Sequence, residues 1–378
     1  MKSVAGLIFS NIHDKSITEL TSSRTMASIP FACRYRLIDF ALSNMVNSGI
    51  TNVQVITHYN YHSLMDHLGT GKDWDLARRN GGIKLLPPYI TAYANSANQL
   101  YTTRLEAIKS VAFPIFRLSE DYIVLSDCDV ICNIDIKDLV KTHIDSKADV
   151  TMITHSVDLT PESASKNVVI KSNWDGRVTD MSVYPTDVTG KHDVALNIWV
   201  ISRELLVSII RDATAHGYTS LTRDIFARNL NSMDIRVYRY EGYASQITSF
   251  DEYFATSMGL LSHPEKMDQL FRVADRPIYT KVRNSAPTKY TDGSGVCNSL
   301  IADGCVIEGT VDNCILFRGV KIGKGTTVKN SILFQDTQVG ENAYLNCVVS
   351  DKNVVIRDGR VLSGHESMPF YIDKSRMI

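Results

Sequence analysis

Between Ser10 and Arg24, in "SNIHDKSITELTSSR", there is no glycine. The stretch follows the apolar run Val4-Ala5-Gly6-Leu7-Ile8-Phe9 and precedes "IPFACRYRLIDFALSNMVNSGI". A buried first strand running into a loop and a helix is where an α/β protein usually builds a glycine-rich phosphate cradle, so the gap excludes the ordinary form of that cradle. Other absences narrow the field. The seven cysteines, Cys33, Cys128, Cys132, Cys297, Cys305, Cys314 and Cys347, are odd in number and include no CxxC pair. That pattern argues against a disulfide framework or a zinc site and fits free thiols in a reducing compartment. A formal charge of -1 gives no electrostatic reason to expect nucleic acid or an anionic membrane as partner. In "MKSVAGLIFSNIHD" polar residues arrive too early for a secretory signal or a spanning helix, and the reading is a first strand in a cytoplasmic protein.

What is present is enough for two domains. The chain has 378 residues, 44% of them hydrophobic, and apolar β-rich runs alternate with helical patterns to about residue 260. Strands are expected at Val4 to Phe9, Asn52 to Thr57, Tyr122 to Ser126, Val150 to Thr154 and Leu196 to Ile201. Helices are expected at Leu37 to Asn47, Gln99 to Val111 and Ile136 to His143. Such alternation gives a Rossmann-like α/β fold, a mostly parallel sheet covered on both faces. The loops after Phe9, around Tyr93 to Asn98 and after Ser126 should then converge on one crevice beyond the carboxyl ends of the strands. In "HYNYH", His58 and His62 are four apart and could meet a metal from one helical face, but no third ligand has a recognisable spacing, and the stretch reads as a helix entry.

After "RPIYTKVRNSAPTKYTDGSG" the period changes. Ile301, Val306, Val311, Leu316, Ile322, Val328, Leu333, Val339 and Leu345 recur at intervals of about five or six between Gly, Asp and Asn corners, the form of a hexapeptide β-helix. Cys305, Cys314 and Cys347 then read as small core residues. The expected organisation is an α/β domain over 1–262, a connecting segment over 263–290 and a β-helix over 291–378.

"PFACRYRLIDFALSNMVNSGI", "THYNYHSLMDHL", "LLPPY" and "NSLIADGCVIEGTVDNCILFRGVKIGKGTTVKNSI" resemble the glucose-1-phosphate adenylyltransferase (ADP-glucose pyrophosphorylase) family over nearly the whole chain. Within that family the chain most resembles the second, GlgD-type subunit of glycogen synthesis. The resemblance implies a nucleotidyltransferase sheet domain, a left-handed parallel β-helix and a tetramer. It also implies the chemistry to look for: attack by the sugar phosphate oxygen on the α-phosphorus of ATP, with a triphosphate cradle, Mg²⁺ held by carboxylates and a clamp on the second phosphate.

Set against that pattern, this chain departs at each station. The family's GGRGTR cradle is matched by Asn11, Ile12, His13, Asp14, Lys15 and Ser16. Ile12 is β-branched and disfavours positive φ, and Asp14 puts a negative charge where triphosphate should sit. The lysine of RAKP becomes Met26, leaving Arg24. The family's Gly-Asp-His becomes Asp127-Cys128-Asp129, a thiol in place of the metal carboxylate. Asp127 and Asp129 should face away from Cys128, because alternate positions of a strand face opposite ways. The second metal carboxylate becomes neutral Gln246, and the lysine of the sugar-phosphate clamp becomes Tyr184. GTADA becomes Asn95-Ser96-Ala97-Asn98-Gln99, with Tyr101 still fitting, so Asp127, Asp129, Ser96 and Asn98 remain as residual ligand or metal candidates.

Arg24, Arg34 and Arg36 survive, and in the family basic residues of this region help bind anionic sugar-phosphate effectors between sheet and β-helix. They could equally cap helices or form ion pairs. The reading is a catalytically impaired subunit that needs no cofactor and forms a hetero-oligomer with an active homologue. The first alternative is a working adenylyltransferase with a rebuilt cradle, for which Mg would be needed. A hexapeptide acyltransferase is the second, disfavoured because the repeat has no catalytic His on an extended loop.

Overall fold

In a computed structural model of the chain, residues 3–87 and 101–378 are described. The apolar runs of the first half become one nine-stranded mixed sheet. Its path runs Val178–Val183, Val168–Ser172, Gly190–Ser202, Tyr122–Asp127, Val4–Phe9, Asn52–Ile56 and Gly82–Leu86, with Val150–Leu159 and Ile235–Arg239 added beside Gly190–Ser202. Val4–Phe9 pairs in parallel with both Asn52–Ile56 and Tyr122–Asp127, and Asn52–Ile56 in parallel with Gly82–Leu86. The long strand Gly190–Ser202 runs antiparallel to its neighbours.

The period of two along Val4–Phe9 builds two cores. Ala5, Leu7 and Phe9 join one apolar cluster with Leu105, Ile108 and Trp199, while Ile8 joins the other with Ile38, Leu42 and Met45. Gly6 is needed here, because a Cβ on it would lie 2.4 Å from Met45 Sδ on the helix Leu37–Asn47.

One expected boundary moves. The helix expected from Gln99 begins at Arg104 and runs to Ser110, because Thr103 accepts from the Glu106 backbone N–H and Glu106 closes a capping box behind it. Tyr101 and Thr102 precede the helix, and the expected start at Gln99 lies outside the described residues. His62 opens the helix His62–Leu68, and His58 Nδ1 accepts from Tyr59 N–H.

From Lys289 on, the chain winds a left-handed β-helix of three parallel five-stranded sheets. Ile307, Ile322, Val339 and Ile356 stack inward, as do Val311, Val328 and Leu345. Asn298, Asn313 and Asn330 turn one corner at φ 38, 53 and 46, a left-handed backbone that asparagine tolerates, and their side-chain amides bond one above another. Cys347 takes the equivalent corner at φ 51. Cys305 and Cys314 fill the coil interior, but Cys347 instead packs outside it, with Ile315, Phe317, Ile332 and Phe334.

That outer face is covered by the sheet domain. Phe31, Phe40, Ile247, Tyr253 and Phe254 join it in a single buried cluster. Tyr253 stacks edge-on to Phe334, and its hydroxyl donates to Pro30 O at 2.7 Å.

Candidate functional site

The glycine-free loop folds onto itself. Asp14–Ser16 makes a 3-10 turn and Thr18–Thr21 a short helix. The N–H groups of Ser16, Leu20, Thr21, Ser22 and Arg24 all bond carbonyls within the loop. No residue from Ser10 to Arg24 has a positive φ. A phosphate cradle needs several converging, unspent N–H groups, and among the positions that match the family's cradle Ser16 already gives its N–H to His13 O. Asn11 lies buried with its Oδ1 accepting from Tyr101 O–H at 2.8 Å, and the ring of His58 leans on Tyr101. Ile12 packs part-buried against the first core. Asp14 is buried, one oxygen accepting from Met26 N–H at 2.7 Å and the other unpartnered. Burial, opposed by that bond, raises its pKa to about 7.

His13, beside it, turns inward to meet the carboxyl end of Tyr122–Asp127. Its Nε2–H donates to Asp127 Oδ2 at 2.9 Å and lies 3.5 Å from Asp129 Oδ2. Asp127 and Asp129 are fully buried and turn the same way, while Cys128 points opposite, into the second core, where burial raises its thiol well above the ordinary range. Arg104 and Gln246 complete the cluster. Arg104, the first residue of its helix, lays its guanidinium over Trp199 at 5.2 Å and donates through Nε to both Asp127 oxygens at 3.0 Å, with a further bond from its terminal nitrogen. Gln246 Nε2 donates to Asp129 Oδ2 at 2.8 Å, held there by antiparallel pairing of Ala244–Gln246 with Val130–Cys132.

The electrostatics of the cluster close on themselves. Burial raises the Asp127 carboxyl, but Arg104 and His13 outweigh it and hold the group ionised, below its usual range. Burial raises Asp129, and the neighbouring Asp127 charge raises it further. Burial works against a charged His13, yet Asp129 and Asp127 prevail and its pKa rises. Arg104 pairs with Asp127, and His13 lies between Asp127 and Asp129, so the buried carboxylates meet cationic or protonatable partners from the chain itself.

The candidate ligand atoms of His13, Asp127 and Asp129 lie within 4.8 Å of one another, which invites a test against the Mg²⁺ that the family's chemistry requires. Mg²⁺ demands near-octahedral oxygen donors. Both Asp127 oxygens already accept from Arg104 and one Asp129 oxygen accepts from Gln246, which leaves Asp129 Oδ1 and Gln246 Oε1 as the unpartnered oxygens of the cluster, too few for that set. The donor set does not fit.

Tyr184, at the clamp position, has φ 57 and is 43% exposed. Ser96 and Asn98 lie outside the described residues. The three surviving arginines divide. Arg24 is buried and grips Asp351 of the β-helix with bonds of 2.6 and 2.9 Å, while Tyr371 O–H donates to the same carboxylate. Arg36 is buried and donates to Ser63 O and Oγ at 2.6 and 3.0 Å. Arg34 is exposed. Sequence reasoning missed Lys352, which follows Asp351: burial, then the like charges of Arg36 and Arg24, lower its pKa to about 6, and Arg283 adds to the same field. It missed Arg104 too, whose only signal was a lone arginine opening the apolar face of "RLEAI".

Comparisons with known proteins agree with this architecture. Residues 15–257 match the nucleotidyl transferase family and 286–367 the GlmU-like C-terminal hexapeptide family. The glycogen biosynthesis protein GlgD of Bacillus subtilis (strain 168) is 36% identical over 372 residues, 98% of this chain and 95% of that protein. GlgD of Geobacillus stearothermophilus is 37% identical over 323 residues, 85% of this chain and 82% of that one. Glucose-1-phosphate adenylyltransferase of Fervidobacterium nodosum is 29% identical over 377 residues, 97% of this chain and 87% of that enzyme.

Proposed function

Because the chain belongs to the family of the glycogen biosynthesis protein GlgD and glucose-1-phosphate adenylyltransferase, we propose that it is a regulatory subunit of ADP-glucose synthesis in the cytoplasm. In this reading its own transfer site is severely impaired, and it assembles with an active homologue whose output it modulates.

The observation that supports the reading is the internally paired cluster of Arg104, His13, Asp127, Asp129 and Gln246. Adenylyl transfer needs positive charge aimed at a developing phosphate charge in the transition state. Here Asp127 is engaged by Arg104 and His13, and Asp129 Oδ2 accepts from Gln246, whose amide stands in the second carboxylate's place. The loop has no glycine and no positive φ, and Tyr184 offers no cation to a sugar phosphate. Losing one such donor costs on the order of a hundredfold in rate, and several are lost together. The rival reading, a working enzyme, draws on the same three donors of His13, Asp127 and Asp129, and requires Arg104 to leave Asp127 first.

Regulation has a location in this proposal. Lys352, Arg36 and Arg283 share one field between the sheet domain and the β-helix; Asp351, itself held by Arg24, opposes Lys352, while Asp39 and Asp66 oppose Arg36. An anionic sugar phosphate would relieve that repulsion and bind where the two domains meet.

The test is mixing. With a catalytic homologue the chain should give a defined hetero-oligomer by size exclusion with light scattering, and should shift the partner's turnover, substrate affinity or effector response. Absence of a mixed species, with the partner's kinetics unchanged at micromolar subunits, contradicts the proposal.

A further inference from the structure

The sheet has one polar patch where a doubly covered sheet is normally apolar. Alternation along Asn52–Ile56 turns Val53 and Val55 into the second core and Asn52 and Gln54 to the opposite face. Register sets Gln54 between Leu7 on one side and Lys84 on the other. Leu7 is buried in the first core, but past it the cover ends at the short helix Ala112–Phe116 and the segment leading to Glu120. What remains is a groove of about 700 Å³ whose lining includes Asn52, Gln54, Arg79, Lys84, Phe113 and Arg117.

A polar edge of a sheet is usually just wet. Gln54 is not: it is 3% exposed, and its Oε1 has no hydrogen-bond partner, nor has Asn52 Oδ1. An unpaired buried acceptor is costly, so each awaits a donor. The three cations have the opposite need. Arg79, Lys84 and Arg117 have no carboxylate within ion-pairing distance among the described residues, and Arg117 merely lies over the Phe113 ring at 4.0 Å. The one acid of the groove, Glu120, is already engaged by Asn52 Nδ2 at 2.7 Å and by Ser119 N–H at 3.0 Å.

Acceptors without donors beside cations without anions define a ligand. A bare anion leaves the amide oxygens unpaired, and a neutral polyol leaves the cations unpaired. We propose that the groove binds a phosphorylated, hydroxyl-bearing small molecule of the sugar phosphate class, its phosphate on Lys84, Arg79 and Arg117 and its hydroxyls donating to Gln54 Oε1 and Asn52 Oδ1. Asn52, Gly81 and Glu120 stand at the amino ends of parallel strands, whereas Asp127 closes the carboxyl end of its own. The groove is therefore separate from the Asp127 cluster and from the Lys352 region, and the proposal does not rest on the regulatory reading.

Hydrogen–deuterium exchange of the full chain tests it, with glucose 1-phosphate, inorganic phosphate and glucose as probes. Glucose 1-phosphate should slow exchange in residues 51–57, 79–86 and 113–120, phosphate should do so more weakly, and glucose not at all. Both lysine and arginine are exposed, so Lys84→Glu with Arg117→Glu should fold normally and weaken the protection at least tenfold in apparent affinity. Lys352→Ala should leave it unchanged. Gln54→Leu should weaken glucose 1-phosphate and spare phosphate. Absence of protection in these segments, protection indifferent to the charge reversal, or a Gln54→Leu variant that binds glucose 1-phosphate as tightly as before would overturn the proposal and leave a water-filled groove.

Discussion

Arg104 decides the character of the crevice. Its guanidinium is 8% exposed and Asp127 is 1% exposed, so the pair is a buried one, and breaking it by removing one partner strands the other's charge. Arg104→Leu should lower unfolding free energy by about 3–5 kcal/mol in a urea titration, and Arg104→Leu with Asp127→Leu should recover much of that loss. Gln246→Asp, which restores one family carboxylate, should leave ADP-glucose synthesis unrescued in a coupled assay, because metal, triphosphate and sugar phosphate must be positioned together. Asp14 adds a pH effect. Its folded pKa of about 7 stands above the ordinary carboxylate value, so the stability it contributes is complete below about pH 4 and is lost as pH rises through 7. Asp14→Asn, which keeps an acceptor for Met26 N–H, should therefore stabilise the protein at pH 8 by about 2 kcal/mol and do nothing at pH 4, as read by denaturant titration at each pH. At this scale the residues facing the crevice were legible by matching positions, but Arg104 was not, because a sequence does not show that a helix begins at Arg104 rather than Gln99 and so turns that side chain inward.

Elements were more legible where periodicity is strong. The strand Val4–Phe9 follows from a continuous apolar run, the form of a strand buried on both faces, and the coils of the β-helix from a period of five to six, since side-chain burial sets both. Cys347 was misplaced because the same period serves a corner that faces the sheet domain and a wall that faces the coil interior. The boundary between these elements carries its own titration. Lys352 has its folded pKa lowered to about 6, so without an anion its contribution to stability is lost as pH falls from about 10 towards 6. Thermal melts at pH 7.5 should show inorganic phosphate raising the midpoint of the native chain, and Lys352→Met should raise the midpoint without phosphate while shrinking the phosphate effect to the share that the Lys84 and Arg117 groove supplies.

For the whole molecule, the two domains share a core. Phe31, Tyr253 and Phe254 of the sheet domain are buried with Phe317 and Phe334 of the β-helix, and the Arg24 to Asp351 pair crosses the same boundary. A chain ending near Ser285 should therefore aggregate or melt at a much lower temperature, and light scattering during a thermal ramp would show it. The order of domains was legible from the change of period near residue 290, but the extent of the shared core was not, because it joins Phe31 to Phe334 across most of the chain. That shared core joins the sheet domain and the β-helix into one mechanical unit, the route by which the proposed regulatory role would reach a partner. The most direct measurement is the turnover of the purified chain alone with ATP, glucose 1-phosphate and Mg²⁺, freed of any copurifying homologue. The account predicts ADP-glucose formation orders of magnitude below that of an active homologue assayed alongside, and a rate equal to that homologue's would contradict it.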